Sequence, residues 1–128
     1  MSTVVAYLTN YYKTFPSPKP TISDTRSGLT STTVPYVTVE LEGMERAVER
    51  RQEMAHLVFN VFHTTRSVAL SSALAVREVV LEVMPQTAHA NGVYVLDVIE
   101  DIGLTDLTEL ETTYQRFMFS ADIYLTQN

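Results

Sequence analysis

The chain has 128 residues, 45% of them apolar, with fifteen acids against nine bases for a formal net charge of -6, and no cysteine. Such a length suffices for one domain with its own core, the missing cysteines exclude a disulfide framework or a thiolate metal site, and the acidic balance counts against nonspecific nucleic-acid binding. The opening MSTVVAYLTNYYKTF has no basic segment ahead of its apolar residues, and no run approaches the ~18 apolar residues of a membrane span, so a soluble protein without a signal peptide is expected.

Residues 2–13 suit a short helix, with Val4, Val5, Leu8, Tyr11 and Tyr12 near helical spacing and Pro16 closing it off. The stretch PSPKPTISDTRSGLTSTT, 16–33, reads as an extended or mobile loop anchored at Ile22; its length implies that it lies across the surface or waits for a partner to order it. From Pro35 to Leu41 the pattern alternates, placing Val37, Val39 and Leu41 on a buried side and Tyr36, Thr38 and Glu40 on the other. There follows EGMERAVERRQE, 42–53, with seven charged residues. A tight hairpin needs only about two to five linking residues, and surplus loop length costs little free energy, so this charged arm is expected to have a role outside the fold.

A second, central strand follows, with Ala55, Leu57, Phe59, Val61 and His63 on one side and His56, Val58, Asn60 and Phe62 on the other. Residues 66–84 are too long for a typical strand and are stopped by Pro85, so they read as a helix with Ser67 as its cap. On a helical wheel Val68, Val76, Val79 and Val83 form one apolar face, Leu70, Leu74 and Leu81 a second, and Ser71, Glu78 and Glu82 a narrow polar strip. One apolar stripe is enough to lie on a sheet, so the leucine face must pack on the first helix or on another subunit. The Asn91-Gly92 turn signal opens a strand over 91–101. The segment 97–111 then holds six acids and no base, and 113–125 alternates Phe117, Phe119, Ala121, Ile123 and Leu125 with polar or larger partners as the last strand. The expected fold is one α+β domain, a mostly antiparallel or mixed sheet of about four to five strands with two helices packed on it.

Reactive groups do not converge in the sequence. Glycine occurs only at 28, 43, 92 and 103, so neither a P-loop nor a dinucleotide cradle is present, and Ser71 and Ser72 lack the G-x-S-x-G turn of a nucleophile elbow. His56, His63 and His89 do not have helical metal spacing, and Asp97, Glu100 and Asp101 do not follow the calcium loop. No enzyme activity, metal or cofactor is expected. The arm could be a surface helix stitched by Glu42 with Arg46, Arg46 with Glu49 and Arg50 with Glu53. Against that, Glu45 with Glu49, Arg46 with Arg50 and Glu49 with Glu53 set like charges four apart. Arginine forks suit interfaces, so the arm is expected to touch another chain.

Three stretches carry a resemblance that runs from about Val34 to Leu125: PYVTVELE as a Pro-led strand, HLVFNVFHTTRSVALSSALAVREVVLEVM as strand into helix, and GVYVLDVIEDIGLTDLTELETTYQRFMFSADIYL as strand, acidic link and final strand. In this order the chain resembles the tail terminator proteins of long-tailed bacteriophages, also called tail completion or minor tail proteins. The resemblance implies an α+β subunit that closes into a ring, usually a hexamer, on the head-proximal end of the tail tube. It stops tube polymerisation and offers the surface for head joining. Its implied partners are itself, the tail tube protein and the head connector or neck proteins; DNA passes through without specific binding and no membrane is involved. The implied location is the tail neck of a virion assembled in the host cytoplasm. The long Ser, Thr and Pro segment and the charge density of the arm depart from the plainest family pattern.

A ring needs two different complementary patches. Candidates for one are Arg46, Glu49, Arg50, Arg51 and Glu53 of the arm with Leu70, Leu74 and Leu81 of the helix. Asp101, Asp106, Glu109 and Glu111 either meet those arginines across the interface or line the ring lumen. The alternatives are another head-tail connector or stopper, or a small enzyme or ligand-binding domain with carboxylates in a cleft.

Overall fold

The computed structural model describes residues 2–13, 20–25, 27–30, 33–48, 52–85, 87–88, 93–108 and 113–127. Helix α1 spans Ser2–Tyr12 and α2 spans Arg66–Glu78, running on into a π-helical turn at Val79–Val83. The strands are β1 Thr21–Ser23, β2 Tyr36–Val48, β3 Gln52–His63, β4 Thr87–Ala88, β5 Val93–Asp106 and β6 Gln115–Gln127. They form a six-stranded mixed sheet in the order β1-β2-β3-β6-β5-β4, with β1 parallel to β2 and every other pairing antiparallel. The fold class is therefore α+β, built on four long strands with a short one at each edge.

Alternation along the strands decides which side is core. Register sets Val37 beside Val61 and Phe117, and Val39 beside Phe59 and Phe119. All six are at most 4% exposed. The Phe59 and Phe119 rings stack with centroids 4.7 Å apart and planes 6° from parallel. Burying each ring contributes roughly 2–3 kcal/mol, and the ring pair adds about 1 kcal/mol. Val4, Leu8 and Tyr12 of α1 and Ala69, Ala73 and Val76 of α2 join the same core, so both helices cover one side of the sheet.

The inward stripe of α2 differs from the expected one. It runs through Ala69, Ala73, Val76 and Val80, while Val68 and Val83 are 36% and 40% exposed. Two alanines on the contact line let the helix approach the sheet closely, and this turns Val68 to the rim. The π-helical turn, closed by Met84 N–H to the Val79 carbonyl at 2.9 Å, then brings Val79, Val80 and Met84 inward and leaves Val83 outside. Ser67 is not the cap: Thr65 occupies that position with extended backbone, accepts Ala69 N–H on its carbonyl at 2.9 Å and makes no side-chain capping bond.

The side away from the helices is covered at one end. Tyr36 points there, and its hydroxyl donates to the Thr25 carbonyl at 2.8 Å, which places the segment after β1 over that end. A Cβ on Gly28 would sit 3.0 Å from the same hydroxyl, so only glycine fits this approach without displacement. Tyr36, Thr38, Asn60 and Phe62 are consequently buried without a helix above them. Asn60 Oδ1 accepts from Arg116 Nε at 2.8 Å, whereas Thr38 Oγ1 and Asn60 Nδ2 make no hydrogen bond among the described residues. Ile22, the expected anchor of the loop, is half-buried against the main core and belongs to β1.

Strand also extends where a charged arm and an acidic loop were expected. β2 continues through Glu42 to Val48 and β3 begins at Gln52, pairing Glu45 with Met54 and Arg46 with Glu53 across a long hairpin. The described part of the arm is strand, not surface helix. Likewise β5 runs on to Asp106 with register irregularities at Val95/Asp97, Glu100/Ile102 and Ile102/Thr105.

Candidate functional site

The surfaces that could meet another molecule follow from what the helical layer leaves uncovered. On α2, Leu70 and Leu74 are 38% and 48% exposed, while Leu81 is half-buried against the core. Of the three leucines read as one face, two therefore lie outside and one is already used. Glu53 is exposed near the tip of the hairpin. Arg46 lies in β2 with its side chain outside the described ones, and Glu49, Arg50, Arg51, Glu109 and Glu111 lie outside the described residues. His89 and the Asn91-Gly92 turn signal also fall outside them.

Of the two described acids proposed for an interface or lumen, Asp101 is exposed on β5 and Asp106 has partners within its own chain. Asp106 Oδ2 lies 2.5 Å from Arg66 Nη1, and its Oδ1 accepts Thr108 N–H at 3.0 Å. Hydrogen bonds from Thr108, side chain first and then backbone, together with the Arg66 guanidinium, pull its carboxyl from 3.8 down to about 2. Arg66 also lies 5.3 Å over the Phe117 ring centroid. This cluster holds the start of α2 to the end of β5.

A second ion pair ties α2 to β5 farther along. Arg77 grips Glu100 with two parallel bonds, Nε to Oε2 and Nη2 to Oε1, the latter at 2.9 Å. Direct hydrogen bonding lowers the Glu100 pKa and raises that of Arg77. On the open side of the sheet, His56 Nδ1 lies 2.5 Å from Asp122 Oδ1, its directly paired neighbour on β6. Ser120 stands two residues along the same strand, but it is 5% exposed and its hydroxyl oxygen accepts Ile102 N–H at 3.0 Å. An accepting, buried hydroxyl is poorly placed to attack a substrate. Among the described residues no group of three His, Asp or Glu side chains could hold a metal ion, and no described helix is long and apolar enough to cross a membrane.

Sequence reasoning missed four exposed apolar side chains. Leu41 and Met44 on β2 are 43% and 49% exposed, and Ile99 and Ile102 on β5 are 50% and 47% exposed. Alternation placed Leu41 on the buried side, and it does point to the helix side, paired with Leu57. It is exposed because the helical layer stops short of this part of the sheet edge, which strand periodicity does not report. Ile99 pairs with Asp122 on the open side.

No protein-family model matches the chain, and no curated protein matches its sequence. Among solved structures the fold is similar to a chain from the virion of a native gene transfer agent particle, with a TM-score of 0.56 and 12% identity over 94% of this chain and 85% of that one.

Proposed function

We propose that the protein is a structural subunit of a phage-like virion, and specifically a tail terminator: a ring, expected to be a hexamer, on the head-proximal end of the tail tube. The observation that carries this reading is the fold shared with a virion chain along nearly the whole length of this one. The exposed leucines of α2 support it, because a monomer gains nothing from showing them and a ring contact would cover them. In this reading the protein is not an enzyme. The hairpin tip and the leucine face of α2 meet a sister subunit head to tail, and the ring offers its two ends to tube and connector. Asp101 and the acids of 109–111 line the lumen or the junction, and Asp106 serves the subunit internally.

Size-exclusion chromatography with light scattering, followed by negative-stain imaging, tests the ring. Closed rings or a concentration-dependent ring equilibrium are expected, and a strict monomer at all concentrations refutes the proposal. Depleting the protein during particle assembly separates termination from a connector or stopper role. Overlong tubes are expected; tails of normal length that fail to join heads would favour the connector.

A further inference from the structure

The two edges of the sheet are finished differently. On the β5 edge, β4 pairs with Tyr94 and Val95, and three register irregularities bend the rest of the strand. Internal bonds hold those bends, Asp97 Oδ1 accepting Val98 N–H at 2.8 Å and Ser120 Oγ accepting Ile102 N–H at 3.0 Å. Asp97, Glu100, Asp101 and Asp106 add charge along it. Bends and charge are the means by which natural sheets discourage edge pairing, and β5 carries three register irregularities where β2 over Val39–Met44 carries one.

The β2 edge is only started. β1 pairs with Tyr36, Val37 and Thr38 and stops, so that among the described residues no strand pairs the outer side of β2 from Val39 onward. Two rows of the core also end there unfinished. In the row Leu41–Leu57–Ala121 the inner two are at most 1% exposed and Leu41 is 43% exposed; in the row Met44–Ala55–Ile123 the inner two are at most 3% exposed and Met44 is 49% exposed. Glu40 and Glu42 flank Leu41 along this edge, both exposed. Glu40 is on the open side, and Glu42 is the extra residue of the bulge between Leu41 and Gly43.

We propose that the outer edge of β2 over Val39–Met44 is a docking site for an extended strand from a different protein, one that alternates apolar residues with Lys or Arg. The edge backbone, unpaired among the described residues, supplies main-chain bonds, the apolar residues continue the Leu41 and Met44 rows on the helix side, and the basic ones meet Glu40 and Glu42. Charge selects the occupant. A second β2 edge pairing antiparallel about Leu41 would set Glu40 against Glu42, and no two of the nine basic residues of this chain stand two apart in sequence, so the chain has no strand of alternating apolar and basic residues to offer a sister. This surface goes beyond the ring reading and does not depend on it.

The test uses the full chain with two synthetic hexapeptides, one alternating Lys and Val, the other Glu and Val, followed by backbone amide NMR and hydrogen exchange at low and high salt. The Lys-Val peptide should shift and protect amides of Val39–Met44, with affinity falling as salt rises, and the Glu-Val peptide should bind at least about tenfold more weakly. The double variant Glu40→Lys, Glu42→Lys, at two exposed positions, should keep the fold by circular dichroism and lose the Lys-Val preference by a similar factor. Equal binding of both peptides, shifts that map to β5, or no binding at all overturns the proposal. Protection of Val39–Met44 in a ring without peptide also overturns it, by showing a sister on that edge, while leaving the ring itself intact.

Discussion

Replacing Leu70 and Leu74 together by glutamine separates folding from assembly. Full burial of a leucine side chain contributes about 1.5–3 kcal/mol, and with 38% and 48% of these residues exposed, about 1 kcal/mol of each remains unused in the lone subunit. Covering both at a subunit junction would contribute about 2 kcal/mol, or roughly 30-fold in the association constant per junction. Glutamine has nearly the helix propensity of leucine and keeps a methylene stem over the half that is buried, so the folding cost should stay below about 1 kcal/mol per site. Thermal melts at a concentration where the subunit is dissociated should therefore move by only a few degrees. Light scattering across a dilution series should show the midpoint of ring formation shifted to at least about tenfold higher concentration. An unchanged midpoint with an intact fold refutes the assignment of α2 to the junction, and outright unfolding refutes the claim that these side chains are half outside.

Truncating Phe119 to alanine removes one member of the stacked pair at the centre of the sheet and should cost about 3–5 kcal/mol in denaturant titrations, with no compensation from ring formation. Arg77→Met leaves the half-buried Glu100 carboxylate without its grip and should cost about 1–2 kcal/mol; adding Glu100→Gln should restore part of that, and a cycle without coupling would show that the pair is ornamental. Acid stability follows from the carboxylates. The Asp106 carboxyl falls from 3.8 to about 2 and the Glu100 carboxyl is also lowered, so their contribution is present above the unfolded values and lost as pH falls through the folded ones, about 2 for Asp106. Melting temperature should drop below about pH 4, and Asp106→Asn should shallow that drop. Reversing Arg46, Arg50 and Arg51 to Glu should weaken ring assembly and change its salt dependence; an unchanged salt profile removes the hairpin tip from the junction.

Periodicity read best where one side of an element is closed. β6 and the central part of β3 alternate so regularly that Phe59 with Val61, and Phe117 with Phe119 and Ile123, could be grouped on one side of their strands from sequence, and each is buried. The same logic failed where neighbours decide burial. Thr38 and Asn60 alternate outward yet are fully buried, because the segment tied to Tyr36 folds back over them. Charge misled in a different way. Glu42 to Arg46 carry little strand propensity, yet they pair as strand, since the register set by the core residues of β2 and β3 carries the ladder outward to the tip. Of the proposed junction, the exposure of Leu70 and Leu74 was legible because a single sheet side cannot absorb two apolar faces, whereas Leu81, read onto the same face, packs against the core. The exposed ends at Leu41 and Met44 were not legible, because they depend on where the helical layer stops.

The directions of the exposed apolar groups bear on the choice among readings. Leu70 and Leu74 lie on the outer surface of α2, Leu41 and Met44 at the β2 edge, and Ile99 and Ile102 toward the β5 edge. A domain that binds one small ligand needs a single concave site, and outlying apolar side chains in three directions would only endanger its solubility. A two-fold dimer would cover one patch and leave the others bare. A subunit in a head-to-tail ring has a neighbour on each side through two unlike surfaces, and a ring at a tube end has a further neighbour along its axis. Three separated patches on one acidic subunit match that number of neighbours, with α2 suited to a sister and the β2 edge, guarded by Glu40 and Glu42, suited to a basic strand arriving from a different protein.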